Sequence, residues 1–274
     1  MKHLSLRLPL ALALTALVVA GGLGWARAQD WAKARLEKSP RHLEWVKVRQ
    51  GARELNCFIA FPEVKEKATA VVVIHEIFGL SDWVRGVADQ LAEAGYIAIA
   101  PDLLSSMAPG GGGTAELGGR DDVRKAISSL PREQVTADLN AVVDYVRQLP
   151  AANGRTAVAG FCWGGGEAFR LATNNPQIQA AFVFYGTGPD NAADLARITA
   201  PIYGFYGGND ARVGATIPAS EELMRKAGKK FEPINYEGAG HGFMRAGEAP
   251  DAAEPNRKAR DAAWQRWKDL LGRL

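Results

Sequence analysis

The sequence predicts one α/β domain built on a mostly parallel, doubly wound sheet with helices on both faces. Three observations predict it. Short, wholly apolar runs such as "ATAVVVI" and "YIAIAP" recur along the chain, as strands buried on both faces require. Between them lie longer stretches with apolar residues at helical spacing. Strands and helices alternate to the end, with no linker that would split the chain and no internal repeat. The span 29–274 is therefore read as a single domain.

The first 28 residues are set apart from that domain. Lys2 and Arg7 precede the apolar run "LPLALALTALVVAGGLG", and Ala26 and Ala28 form the A-x-A pattern of a signal peptidase site. Cleavage is expected after Ala28, which would place the mature chain in the periplasm or outside the cell. The alternative is an uncleaved anchor, since the run is nearly long enough to span a bilayer. No second stretch qualifies, so no membrane contact is expected after cleavage. The segment carries Lys2, Arg7 and Arg27 and no acid. Its loss takes Lys plus Arg from 33 to 30, equal to the 30 Asp plus Glu. The net charge of +3 therefore belongs to the leader, and no nucleic-acid partner is implied.

Residues 29–43 read as a short amphipathic lead-in or a loose N-terminus. "HLEWVKVRQGARELNCFIAFP" alternates on both sides of Gln50-Gly51, as a hairpin does. Cys57 falls on its inward face with Leu55 and Ile59 and is read as a small core hydrophobe with no disulfide partner. "ATAVVVIHE", the helical "SDWVRGVADQLAEAG" and "YIAIAPDL" make a β-α-β unit with a right-handed crossover. "SSMAPGGGGTAELGGRDD" reads as a mobile surface loop, either a plain insertion or a flap over a site. "REQVTADLNAVVDYVRQLP" carries a stripe of Val135, Leu139, Val142, Val143 and Val146. Then come "GRTAVAGF" as the third buried strand, "GGGEAFRLATNN" as a helix, and "IQAAFVFYG" and "APIYGFYG" as the fourth and fifth strands. "SEELMRKAGK" is a helix and "FEPINYEG" a sixth strand. A last helix over 256–274 presents Trp264, Trp267, Leu270 and Leu271.

In such sheets functional residues gather at the carboxyl ends of strands, and four of those ends are chemically unusual. Cys162 sits in "GFCWGG", a glycine-bracketed strand-to-helix turn of the nucleophile-elbow type. The following helix points its positive end at the thiol, which favours thiolate and oxyanion alike. Asp210 ends "PIYGFYGGND", where an Asn-Asp pair also reads as a turn or helix cap. Asp102 is a rival acid, but the order nucleophile, acid, base selects Asp210. The same order selects His241, in "YEGAGHGF", over His42 and His75. His241 is the candidate general base and acid, oriented by Asp210. At the fourth end, "VIHEIFGL", the Ile77 amide is paired with that of Trp163 as a candidate oxyanion hole. Glu76 beside them either primes the thiol or forms a salt bridge to a nearby arginine.

Together "HEIFGL", "GFCWGG", "YGGND" and "GHGFMR" resemble the dienelactone hydrolase family, over roughly residues 45–270. The resemblance implies an α/β-hydrolase fold with an eight-stranded sheet, in a monomer. It implies Cys162 as nucleophile, His241 as base, Asp210 as its orienting acid, Glu76 as the residue that primes the thiol, and Ile77 and Trp163 as the oxyanion hole. Family members that open dienelactone also hold its carboxylate with two arginines. Arg245 stands at one of those positions, four residues after His241. At the other the chain reads "PDLLSSM", with Ser105 and Ser106 and no arginine; Arg120 and Arg124 lie beyond the glycine run.

The expectation is a hydrolase of small esters or lactones acting through an acyl-enzyme on Cys162. No metal or organic cofactor is expected, since no His/Cys/Asp cluster has ligand spacing. The alternatives are a thioesterase, a general carboxylesterase, or a non-catalytic secreted binding module on a hydrolase scaffold.

Overall fold

A computed structural model describes residues 30–274; the expected leader and its cleavage after Ala28 lie outside the described residues. Eight strands form one sheet: β1 (His42–Gln50), β2 (Arg53–Phe61), β3 (Ala68–Ile74), β4 (Ile97–Pro101), β5 (Ala152–Phe161), β6 (Ala181–Phe184), β7 (Ile202–Gly207) and β8 (Phe231–Tyr236). Their order is β1-β2-β4-β3-β5-β6-β7-β8. The hairpin β1–β2 and the pair β2–β4 are antiparallel; every pair from β4 through β3 to β8 is parallel.

The period-2 rule divides each central strand between two cores. Val72 and Ile74 face one side, with Val135, Leu139 and Val143 of α4 (Arg132–Arg147) and Phe169 of α5 (Trp163–Ala172). Val71 and Val73 face the other, with Val84 and Leu91 of α2 (Asp82–Glu93) and Trp267 of α10 (Glu254–Leu271). The helix α1 (Asp30–Leu36) also belongs there, through buried Ala32 and Leu36. The lead-in is thus a docked helix rather than a loose end. Cys57 lies in the first core beside Leu55 and Ile59, where burial pushes its thiol up. Cys57 and Cys162 are both free thiols.

The glycine-rich stretch differs from the mobile loop that its composition predicts. It folds into two 3-10 turns, Pro109–Gly111 and Thr114–Glu116, and then α3 (Arg120–Ser129). Its midpoint is tied down by Asp102, at the end of β4. That buried carboxylate accepts from the Thr114 amide and hydroxyl, both at 2.7 Å, and from the Leu104 amide at 3.0 Å. The Thr114 hydroxyl in turn accepts from the Leu80 amide at 3.1 Å. The rival acid therefore fastens this segment to the loop after β3. α3 escapes a periodicity reading because it buries only Val123 and Ile127 and starts on Gly119 with no side-chain cap.

Trp267 is fully buried, its ring 4.9 Å from that of Phe184 and 6.1 Å from that of Phe161. Both phenylalanines lie on strands that end at the candidate site. Trp267→Ala is expected to cost about 3–5 kcal/mol of stability through the cavity it leaves, measured by urea unfolding.

Candidate active site

The site is built around one backbone conformation. At the end of β5 the chain turns into α5 through Cys162, at φ 56°, ψ −116°. For a residue with a Cβ this is strained geometry, worth on the order of 1–3 kcal/mol. Its neighbours hold it there. The Cys162 amide donates to Phe184 O on β6 at 3.0 Å, and its carbonyl accepts from the Gly165 amide at 3.0 Å. A Cβ on Gly160 would lie 1.9 Å from Gly164 O, and one on Gly164 would lie 2.3 Å from His75 O. The two glycines are there because strand, helix and the end of β3 touch through them.

Around this turn three side chains stand in line. His241 Nε2 is 3.1 Å from Cys162 Sγ, and His241 Nδ1 is 2.5 Å from Asp210 Oδ2. Asp210 is buried and fulfils both readings of its Asn-Asp pair. Its second oxygen caps α7 (Ala211–Gly214) by accepting from the Val213 amide at 3.3 Å, which fixes the carboxylate that faces the ring. The His241 loop is fastened to the end of β7 by Asn209 N–H on Ala239 O at 2.9 Å, and to α10 by Gly240 N–H on Asn256 Oδ1 at 3.0 Å. The imidazole pKa is raised to about 9. The bond to Cys162 is the largest cause; burial opposes it and Asp210 adds to it.

The two candidate amides lie past the ends of β5 and β3. Trp163 is the first residue of α5, so its amide has no carbonyl four residues back to bond. The Ile77 amide likewise has no acceptor among the described residues. Glu76 is buried, and its partner is Arg245, at 2.8 Å between Oε2 and Nε. Arg245 lies in α9 (Phe243–Ala246), four residues beyond His241. Burial pulls its guanidinium down, but Glu76 more than offsets this and leaves the pKa raised. Arg245 also lies over the ring of Phe78, 5.5 Å from its centre, and Arg120 lies over the same ring at 4.4 Å. Burial first, then the charge of Arg245, lowers the Arg120 pKa. Ser105 is used elsewhere: it accepts from the Asn56 amide and donates to Asp102 O.

Comparisons with known proteins give the family. The model of the "Dienelactone hydrolase family" matches residues 55–274. The chain belongs to the dienelactone hydrolase family. It is a carboxylic ester hydrolase with the α/β-hydrolase fold. A relative from Methylorubrum extorquens named "Putative carboxymethylenebutenolidase" is 34% identical over 211 residues, covering 73% of this chain and 70% of its own. One of the same name from Saccharolobus solfataricus is 29% identical over 252 residues, covering 81% and 95%. The solved structure of a "Putative Dienelactone Hydrolase" from Klebsiella pneumoniae superposes with a TM-score of 0.75 at 26% identity, over 85% of this chain and 99% of that one.

Within this dienelactone hydrolase framework, the structure brings all seven sequence-predicted residues to one end of the sheet. Cys162, His241 and Asp210 are in contact, Glu76 and Arg245 are in contact, and Ile77 and Trp163 flank the two loops. Of the two readings of Glu76, the salt bridge is the one the structure contains. Three residues near the site have no role in the sequence reading. Arg120 comes to the site through the fastened glycine segment. Tyr185, at φ 42°, is fully buried and sets its ring edge-on to His241 at 5.1 Å; its place at the end of "AFVFY" is the signal that could have found it. His75 is the third.

In a pH titration followed by NMR, the His241 ring is expected to show its midpoint near pH 9. A midpoint above the ordinary value of about 6.5 means that the charged ring is stabilised by its partners. Cys162→Ala and Asp210→Asn are therefore each expected to move it down.

Proposed function

We propose that this chain hydrolyses small esters or lactones through a Cys162–His241–Asp210 triad and an acyl-enzyme intermediate. The single observation that carries the reading is the line from thiol to imidazole to carboxylate, 3.1 and 2.5 Å, at a strained turn. Cys162 Sγ, as thiolate beside the His241 imidazolium, attacks the carbonyl carbon. A C–S bond forms and the carbonyl π pair moves to oxygen. The Ile77 and Trp163 amides receive that oxyanion. As the tetrahedral adduct collapses, the C–O bond breaks and the leaving alkoxide takes the proton of His241. The neutral ring then takes a proton from water, and the hydroxide attacks the thioester. Its collapse releases the acid and restores the thiolate and the imidazolium. Asp210 holds the Nδ1–H tautomer and the positive charge throughout.

Glu76 enters when the substrate is anionic. Its charge is held by Arg245. A substrate carboxylate that takes Arg245 would leave Glu76 buried and unpaired, and a buried lone carboxylate gains by accepting a proton. Arg120 shares the Phe78 ring with Arg245, so a substrate carboxylate that meets Arg245 comes within reach of the field of a second guanidinium. This favours esters and lactones that carry a carboxylate over neutral thioesters and simple alkyl esters.

Two experiments test this. Cys162→Ala is expected to lose at least about 10³-fold in kcat on p-nitrophenyl acetate and on a lactone panel, with wild-type unfolding; equal rates in the two proteins would remove the nucleophile assignment. Arg120→Gln is expected to raise KM about tenfold for a carboxylate-bearing lactone, the size of one lost charge-assisted contact, and to leave KM for p-nitrophenyl acetate within about twofold. Arg245 is left in place, because removing it would strand Glu76.

A further inference from the structure

We infer that His75 is a positioning residue of the oxyanion hole: its Nδ1–H holds the Glu76 carbonyl and thereby aims the Ile77 amide of the same peptide unit. The inference rests on the reading of Ile77 given above. His75 is fully buried just past β3, and its Nδ1 lies 2.8 Å from Glu76 O. At that distance a bare ring nitrogen would face the carbonyl lone pairs, so Nδ1 carries the proton and donates. The other ring nitrogen agrees. Nε2 is buried and has no hydrogen-bond partner among the described residues, which is tolerable for a bare nitrogen and costly for an N–H. Burial also lowers the His75 pKa, opposed by the charge of Asp102, so the ring stays neutral in the working range.

The consequence follows from peptide geometry. Glu76 C=O and Ile77 N–H belong to one planar trans unit and point in opposite directions. Fixing the carbonyl fixes the amide. Two donors fix it: His75 Nδ1 and the Gly79 amide, at 3.1 Å in the turn that follows. The ring is itself held from two sides. It stacks on the Trp163 indole, with centres 5.5 Å apart and planes 17° apart, and its own carbonyl abuts Gly164. His75 thus touches both loops whose amides would share the oxyanion. Farther along, the Thr114 hydroxyl holds the Leu80 amide, so the segment 76–80 is pinned at each end. A preorganised donor needs such support, since its value is lost when it must reorient during the reaction.

The test uses the full-length protein and three variants: His75→Phe, His75→Asn and Cys162→Ala. Phe keeps a ring to stack on Trp163 and cannot donate. Asn places an N–H at the same distance from the backbone and can. Activity is read on p-nitrophenyl acetate, and on an ester and its thionoester, whose sulfur accepts hydrogen bonds poorly. The expected result for His75→Phe is a fall in kcat of at least about tenfold, up to the hundredfold or more seen when a whole oxyanion donor is removed. KM should stay within about twofold. The wild-type preference for the oxo ester over the thionoester should shrink several-fold, and iodoacetamide should alkylate Cys162 at the wild-type rate, because alkylation forms no oxyanion. His75→Asn should recover kcat to within about fivefold and restore the oxo preference. An unchanged kcat and oxo preference in His75→Phe, with Cys162→Ala inactive, overturns the role of His75 alone. An active Cys162→Ala overturns the proposed mechanism and this inference with it. If His75→Phe does not fold, His75→Asn decides: a folded, soluble Asn variant that has lost the oxo preference overturns the proposal.

Discussion

The strained turn at Cys162 sets the terms for everything around it. A residue with a Cβ at positive φ persists only when its surroundings over-determine it. Here the surroundings are β6 through Phe184 O, the first turn of α5, and the end of β3. Each of these is in place only because the parallel sheet puts β3, β5 and β6 side by side. A thiol raised on this turn stands clear of both strand and helix, at the positive end of α5. Gly160 and Gly164 have the same origin. The first lets helix and strand meet; the second lets the β3 loop come up against the helix.

Charge is arranged around that thiol in two pairs. His241 lies between Cys162 and Asp210, and its raised pKa records that an imidazolium is welcome there. Glu76 and Arg245 form the second pair, buried on the carboxylate side and half-open on the arginine side. The pairs differ in what breaks them. Nothing carried by a substrate competes for Asp210, which is capped into α7 and closed off from solvent. Arg245, by contrast, is partly open to solvent.

Most of the scaffold is legible from local pattern because a doubly buried strand needs an apolar run, and few other elements do. The same holds for Cys162, Asp210 and His241, whose order along the chain follows from the strands that carry them. What is not legible is whatever depends on the route of a segment between elements. Arg120 reaches Phe78 only because Thr114 is bound to Asp102, a contact between residues that no periodicity relates. α3 shows too few apolar positions to declare itself. Chain order passes over His75 as the base, yet it says nothing of a ring that acts on the next peptide. Tyr185 shows only as the end of an apolar strand, and no side-chain pattern encodes its backbone angle.

Asp102 and Asp210 show the same point from the other side. Each is a buried aspartate just past the end of an apolar strand, β4 for one and β7 for the other. Each accepts from a backbone amide nearby, and each has a second oxygen left over. The second oxygen of Asp210 meets His241 across the sheet end; that of Asp102 meets Thr114. One becomes part of the chemistry and the other part of its support. Through the Thr114 hydroxyl, Asp102 reaches the Leu80 amide and so steadies the loop that carries Glu76 and Ile77. The apparent rival thus serves the same site at one remove. It does so as an acceptor of fixed donors, a task that needs a buried carboxylate as much as orienting a histidine does.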